Sequence, residues 1–257
     1  MATTTTFSEK LMNRWLTHLC GSPEGRAHML NQVAEAESNG ESTIFERALA
    51  RVDDPELAKM IRVHQADEVR HAALFHECLA RTGIDPGPAP PELRIIDRLD
   101  RALDGFFDHA ISDRKGVMEA YLLLQVIEER AVTQFPVFER GFRAAGDAHA
   151  ADTFAAVARD EERHLRYCHA IARRYAPDTR THDETLARFR TVEAQAFQEN
   201  GRANMQHTLR KGWTTLPQIE RPLWWALTLV MPLLPVRGTS FGESAPAPKD
   251  LTLADQN

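Results

Sequence analysis

The sequence predicts an all-α protein, with four long helices forming two antiparallel hairpins joined by a long crossover and further helices at both ends. Three observations predict it. Apolar residues recur at helical spacing, strand-like alternation is absent, and Gly and Pro cluster between the periodic segments. The chain also repeats itself at an offset of 93 residues without a gap. Gln32-Val33-x-Glu35 returns as Gln125-Val126-x-Glu128, Phe45-Glu46-Arg47 as Phe138-Glu139-Arg140, and Asp67-Glu68-x-Arg70-His71 as Asp160-Glu161-x-Arg163-His164. Finally, connections are short within each copy and long between the copies, as in a hairpin, a crossover and a second hairpin.

A short helix is expected over residues 7–20. Gly21-Ser22-Pro23-Glu24 reads as a stop followed by a cap with Pro in the first turn. The first long helix then covers 24–52. Asp53-Asp54-Pro55 restarts the chain as a second long helix ending near 82. Residues 83–91 hold four prolines and form an irregular connection, and 92–107 make an extra helix inside the crossover. The third long helix covers 113–145, with a kink expected at Pro136. Gly146-Asp147 ends it, and the fourth covers 148–176. After Pro177, Leu186, Phe189, Val192 and Phe197 mark a helix over 183–212, and an apolar segment with two tryptophans fills 222–235. The organisation is thus an N-terminal helix and linker (1–23), a bundle (24–176) with its crossover helix, a helical extension (177–241) and a disordered tail (242–257) rich in Pro, Ala and Asp.

Hydrophobic residues at 43% can fill a core, and a net charge of −6 with no basic run argues against nucleic acid. Cys20, Cys78 and Cys168 form no C-x-x-C pair, which excludes a four-cysteine metal site and a disulfide framework. A cytoplasmic protein is expected, since the threonine-rich start has no apolar run of a signal peptide. Residues 222–235 fall short of the roughly 20 apolar residues that span a bilayer. Trp224, Trp225 and the flanking Arg210, Lys211, Arg221 and Arg237 resemble an interfacial anchor. Packing over the bundle or at a dimer contact is the preferred reading, and peripheral membrane contact the alternative.

The repeat carries chemistry. Glu68 and His71 lie three residues apart on one helical face, as do Glu161 and His164. Glu35 and Glu128 each precede the Glu-x-x-His by 33 residues, which is up one helix and back down to the same depth. Four buried carboxylates need a counter-charge, and two divalent cations supply it. Oxygen donors with imidazole suit iron or manganese; zinc can bind but lacks redox chemistry. Asp67 and Asp160 are expected to accept the imidazole N–H of the opposite copy's histidine, anchored by Arg70 and Arg163. One Asp-Glu-x-Arg-His alone is more often a solvated face; two in register are not. Glu37, Glu41, Glu129 and Glu162 have no counterpart and read as surface charges, with Glu37 and Glu129 the substitutes if the register is off. His76 and His169 read as surface or interface residues.

With this motif, residues 24–176 resemble the ferritin-like superfamily of diiron-carboxylate proteins. The ligand spacing is most similar to the rubrerythrin and bacterioferritin branch, and the Asp-Glu-x-Arg-His form resembles diiron oxygenases and ribonucleotide-reductase small subunits. The resemblance implies two iron ions, with manganese or a mixed pair as alternatives. Glu68 and Glu161 would bridge the metals, and Glu35 and Glu128 would be terminal. It further implies O₂ or peroxide as reactant and a separate electron donor protein. An oxidase or oxygenase acting on an organic substrate is the leading expectation. The alternatives are a ferroxidase or peroxide scavenger, and a metal-free helical interaction module. Leu124, Ala131, Val132 and Phe135 are candidates for an apolar substrate wall, opposite a polar side of Asn31, Ser38, Asn39 and Ser42. Tyr121 and His28 are weak relay candidates. A homodimer is the default assembly.

Overall fold

Four of the helices start on an aspartate. Asp54 accepts from the Glu56 and Leu57 amides, Asp113 from Gly116, Asp147 from Ala150 and Asp178 from Thr181, at 2.8–3.3 Å. Each carboxylate satisfies amides that a helix start leaves unpaired, which is worth about 1 kcal/mol. The computed structural model describes residues 7–39 and 42–234. Glu41, Arg237, the Asn39 and Ser42 side chains and the tail from 242 lie outside the described residues.

Among the described residues the chain is all helical, with no strand. The helices are α1 (Phe7–Gly21), α2 (Pro23–Asn39), α3 (Ser42–Leu49), α4 (Pro55–Arg81), α5 (Ile95–Ala102), α6 (Arg114–Ala144), α7 (Ala148–Tyr175), α8 (Thr179–Lys211) and α9 (Arg221–Val230). Two differences from the sequence expectation have local causes. The first long helix is divided into α2 and α3, with the Asn39-Gly40 breaker between them. The crossover helix is only eight residues, because Asp104 and Gly105 both adopt the left-handed conformation (φ 55° and 79°) and end it. α6 is one helix across Pro136, packed against α7, α8 and α1.

α2 packs along α4, α6 along α7, and the two hairpins join through α4 and α7. α2 and α6 pack far less closely on each other. α1 covers both, α8 lies against α6 and α5, and α9 lies on α8. Gly25 permits the corner between α1 and α2: a Cβ there would stand 2.2 Å from the Leu19 carbonyl oxygen and 2.6 Å from that of Trp213.

Two apolar clusters fill the ends of the bundle. Phe45, Ile61, Leu122, Tyr121 and Phe189 occupy one, and Phe75, Phe135, Phe142 and Phe154 the other. The polar residues described below sit between them. A third cluster joins α1, α8 and α9 around Trp15 and Trp224, whose rings lie 5.2 Å apart. α9 therefore does pack on the bundle, burying Trp224 and Thr228, while Leu223, Leu229 and Leu233 remain exposed. No helix among the described residues is long and apolar enough to cross a membrane.

Candidate metal centre

α4 presents His64, Glu68 and His71 at i, i+4 and i+7, one stripe of the helix. α7 adds Glu161 and His164, α6 adds Glu128, and the last turns of α2 add Glu37. All three imidazoles are fully buried, and Glu68, Glu128 and Glu161 are 7, 3 and 2% exposed. His164 Nδ1 lies 2.9 Å from Glu161 and 3.0 Å from Glu68. His71 Nδ1 lies 3.1 Å from Glu161 and 3.6 Å from Glu37. His64 Nε2 lies 2.8 Å from Glu128 and 3.4 Å from Glu68, and its ring stacks on His164 at 4.0 Å.

Two overlapping quartets offer ligand atoms within 4.8 Å of one another: His64, Glu68, Glu128 and His164, and Glu68, His71, Glu161 and His164. Glu68 and His164 belong to both. Glu68 Oε1 and Glu161 Oε1 are buried and meet imidazole nitrogens, His164 Nδ1 at 3.0 Å and His71 Nδ1 at 3.1 Å. Carboxylate oxygens and imidazole nitrogens converging on one buried space are what a bound cation requires. The donor set therefore fits a metal ion, with hard carboxylates and imidazoles in one buried cluster.

The electrostatics show how the cluster stands without metal. Burial disfavours the His71 imidazolium, but Glu161, Glu37 and Glu68 outweigh it and push its pKa up to about 11. Burial opposes His164 as well, and Glu161 and Glu68 raise it to about 9. Burial and the Glu161 charge oppose ionised Glu68, yet His164 and His64 pull it down to about 2. Glu37 is pushed well up by burial and by the Glu68 and Glu161 charges. His64 is lowered, chiefly by burial. The raised His71 and His164 imidazoles thus supply positive charge among the carboxylates.

The outer nitrogens of the histidines engage the opposite copy. His71 Nε2 faces Asp160 at 3.4 Å, and His164 Nε2 faces Asp67 at 3.2 Å. Arg70 donates to Asp67 and Asp160, both at 2.7 Å, and Arg163 reaches Asp67 at 2.6 Å and Asp160 at 2.8 Å. This square of two aspartates and two arginines turns each Nδ1 inward.

Several sequence expectations need correction. Glu35 is turned out of the cluster, where its carboxylate accepts from the Ala89 amide at 2.8 Å and Asn31 at 3.4 Å. Asn31 also donates to Gly87, so this side of α2 anchors the proline-rich crossover. Two residues along a helix is a rotation of about 200°, so Glu37 faces inward where Glu35 does not. The repeat at Glu35 and Glu128 is one of sequence and not of position. Glu129 is no surface charge either: it is buried and paired in bidentate fashion with Arg190. Glu162 and His76 are exposed, and His169 is half-buried near His182. His64 has Val157 as its repeat equivalent, so the repeat gave no sign of it, although its spacing to Glu68 and His71 places it on their stripe.

A cavity of about 560 Å³ opens onto Glu37, Glu68, Glu128 and Glu161. It fills the gap between α2 and α6 and is walled by α1, α5, α8 and α9. Ala131 and Phe135 line it as expected. Leu124 does not, since it lies in the apolar cluster at one end of the bundle, and Val132 is also outside the lining. Tyr121 is buried in the same cluster as Leu124. His28 stands at the far end of the cavity, bonded to Asn204 at 2.8 Å, with its pKa lowered to about 4 by burial. Of the anticipated polar wall, Ser38 bonds to the Ala34 carbonyl in its own helix. Comparison with protein-family models, curated proteins and solved structures gives no match. The helical fold with its buried His/Glu cluster is compatible with a ferritin-like diiron protein.

The Glu35–Glu37 exchange has a direct test. Glu37→Ala is expected to weaken metal binding about tenfold or more, and Glu35→Ala to leave it within about twofold. Metal titration of both variants, read by competition with a chromophoric chelator, reverses the assignment if Glu35→Ala is the weaker binder.

Proposed function

We propose that the chain is a ferritin-like di-metal carboxylate oxidoreductase that uses O₂ or peroxide on an organic substrate. The observation that carries this reading is the junction of the buried carboxylate–imidazole cluster with an apolar cavity. Glu68, common to both quartets and with two carboxylate oxygens, could serve both ions; His64 and Glu128 would help hold one and His71, Glu161 and Glu37 the other, while His164, with a single inward lone pair at Nδ1, would serve one ion only. Iron, or manganese in its place, would supply the redox chemistry when bound.

The chain's own residues have separate tasks in this account. The Asp67–Arg70–Asp160–Arg163 square holds His71 and His164 with Nδ1 inward, so the donors need no reorganisation when a cation enters. Glu37, whose carboxyl is pushed well up in the metal-free protein, would release its proton to solvent as a cation binds and so provide an adjustable negative charge. The apolar walls exclude water from reactants held above the carboxylates. A ferroxidase would need no such chamber, which favours an organic substrate. Electrons for O₂ reduction come from a separate donor, since the three cysteines are buried and dispersed.

Loading with Fe(II) under anaerobic conditions, followed by O₂, tests the reading. An O₂-dependent near-ultraviolet and visible absorption with O₂ consumed in proportion to bound iron is expected. Iron that stays bound and unreactive toward both O₂ and peroxide would contradict it.

A further inference from the structure

We propose that α9 and the turn that follows it dock on the surface of a bilayer that contains anionic lipid. The proposal stands apart from the metal chemistry, because a different part of the molecule carries it.

The exposed apolar surface is concentrated in one place. Among the described residues eight large hydrophobic side chains are exposed, and six of them fall between 219 and 234: Ile219, Leu223, Leu229, Val230, Leu233 and Leu234. Leu223, Leu229 and Leu233 are 69, 68 and 82% exposed. Such side chains scattered singly are normal, but gathered on one short element they mark a surface that something covers. A helix that packs on a bundle and faces water on its other side carries polar residues on that other side. Tryptophans aside, α9 holds only two polar side chains, Arg221 at its start and Thr228, and Thr228 is fully buried. Trp224 and Thr228 face the bundle, while Leu223, Ala226, Leu229 and Val230 make an outer face of aliphatic groups alone.

Charge selects the occupant. From Asn200 to Phe241 the sequence holds Arg202, Arg210, Lys211, Arg221 and Arg237 against one acid, Glu220, in a chain whose net charge is −6. Arg14 engages that acid. Arg210 and Lys211 are exposed at the end of α8. Arg221 joins them, since its guanidinium lies 3.4 Å from where a Cβ on Gly212 would stand. Arg221 also lines a shallow groove with Pro222, Trp225, Ala226 and Leu229. Cations thus border the aliphatic face with a tryptophan beside them, the arrangement of a helix lying in a membrane interface. A second copy would bring the same face, and with it no carboxylate for these cations. Anionic headgroups supply the missing charge.

α9 is held in place for such a contact. Gln198 donates to the Met231 carbonyl at 2.8 Å, and Gln206 to the Thr228 hydroxyl at 3.1 Å. The leucines are therefore presented by a fixed scaffold, and docking needs no refolding of the helix. The same segment walls the cavity through Trp224, Leu227, Met231 and Leu234, and Leu234 is also half exposed. A bilayer on this face adjoins the chamber.

Flotation of the full chain with lipid vesicles is the test. Vesicles of phosphatidylcholine and phosphatidylglycerol in equal parts should carry the protein, and phosphatidylcholine alone at least about tenfold less of it. Leu223→Ser and Leu229→Ser should each weaken binding about tenfold or more, the loss of one aliphatic side chain from the acyl layer. Both side chains are exposed, so melting curves should show the variants folded. Lys211→Glu combined with Arg210→Glu should remove the preference for anionic vesicles. A protein that floats with neither vesicle, or leucine variants that bind as the parent does, would overturn the proposal. So would a lipid-free dimer that the leucine variants split into monomers and that ignores vesicles, because a second copy then covers the face. Metal content is measured on the same samples. Flotation of a chain that takes up no metal would sink the di-metal reading and leave the docking surface standing. A metal-loaded chain that stays off both vesicles would sink the docking surface alone.

Discussion

Glu68→Ala is expected to abolish metal binding altogether, whereas His71→Ala and His64→Ala should each retain about one metal equivalent per chain. The difference follows from the overlap of the two quartets: the Glu68 carboxylate, with two oxygens, belongs to both, His71 only to one and His64 only to the other. All three side chains are buried, so solvent cannot replace a missing ligand freely. Elemental analysis of the three variants, with circular dichroism to confirm retained helix, reads the result. Two equivalents retained in Glu68→Ala, or equal loss in all three, would mean that the ions do not share this residue.

Chelation should lower the melting temperature by roughly 10 °C at pH 7, the effect of removing a ligand present at several hundred times its Kd. The gap should widen at higher pH. His71 and His164 are raised to about 11 and about 9, above the usual 6.5. Their protons therefore stabilise the metal-free fold fully below pH 6.5, and this stabilisation is lost as the pH rises through 9 and 11. Glu68, lowered to about 2, contributes above pH 4.5 and loses its contribution only as the pH falls toward 2. Melting curves between pH 6.5 and 10 should thus fall for the metal-free protein and stay nearly level for the loaded one. Parallel curves would show that the imidazolium–carboxylate contacts do not hold the empty cluster together.

The duplicated Asp-Glu-x-Arg-His was legible because each residue keeps its helical neighbours: four residues per copy fall within two turns of one helix, and the register cannot slip between them. Glu35 was misleading for the complementary reason. Its helix ends four residues later, and its carboxylate is held by the Ala89 amide, more than fifty residues away, and by Asn31 on the preceding turn. His64 was passed over because only one copy has it, so the repeat that revealed the other ligands concealed this one. Most long-helix bounds were readable from Asp, Gly and Pro punctuation, but the Asp178 cap was not, and the helix expected from 183 starts at Thr179. The cavity was not, because α1, α2, α5, α6, α8 and α9 each contribute a few residues that read as ordinary apolar faces when taken one helix at a time. The same holds for Trp224, whose partner Trp15 lies at the other end of the chain.

The central claim is that the buried carboxylates and imidazoles hold a pair of metal ions. Elemental analysis of the purified full chain, before and after anaerobic Fe(II) loading and desalting, tests it most directly. About two equivalents of iron or manganese per chain are predicted. A chain that carries no metal as purified and takes up none on loading would contradict the account.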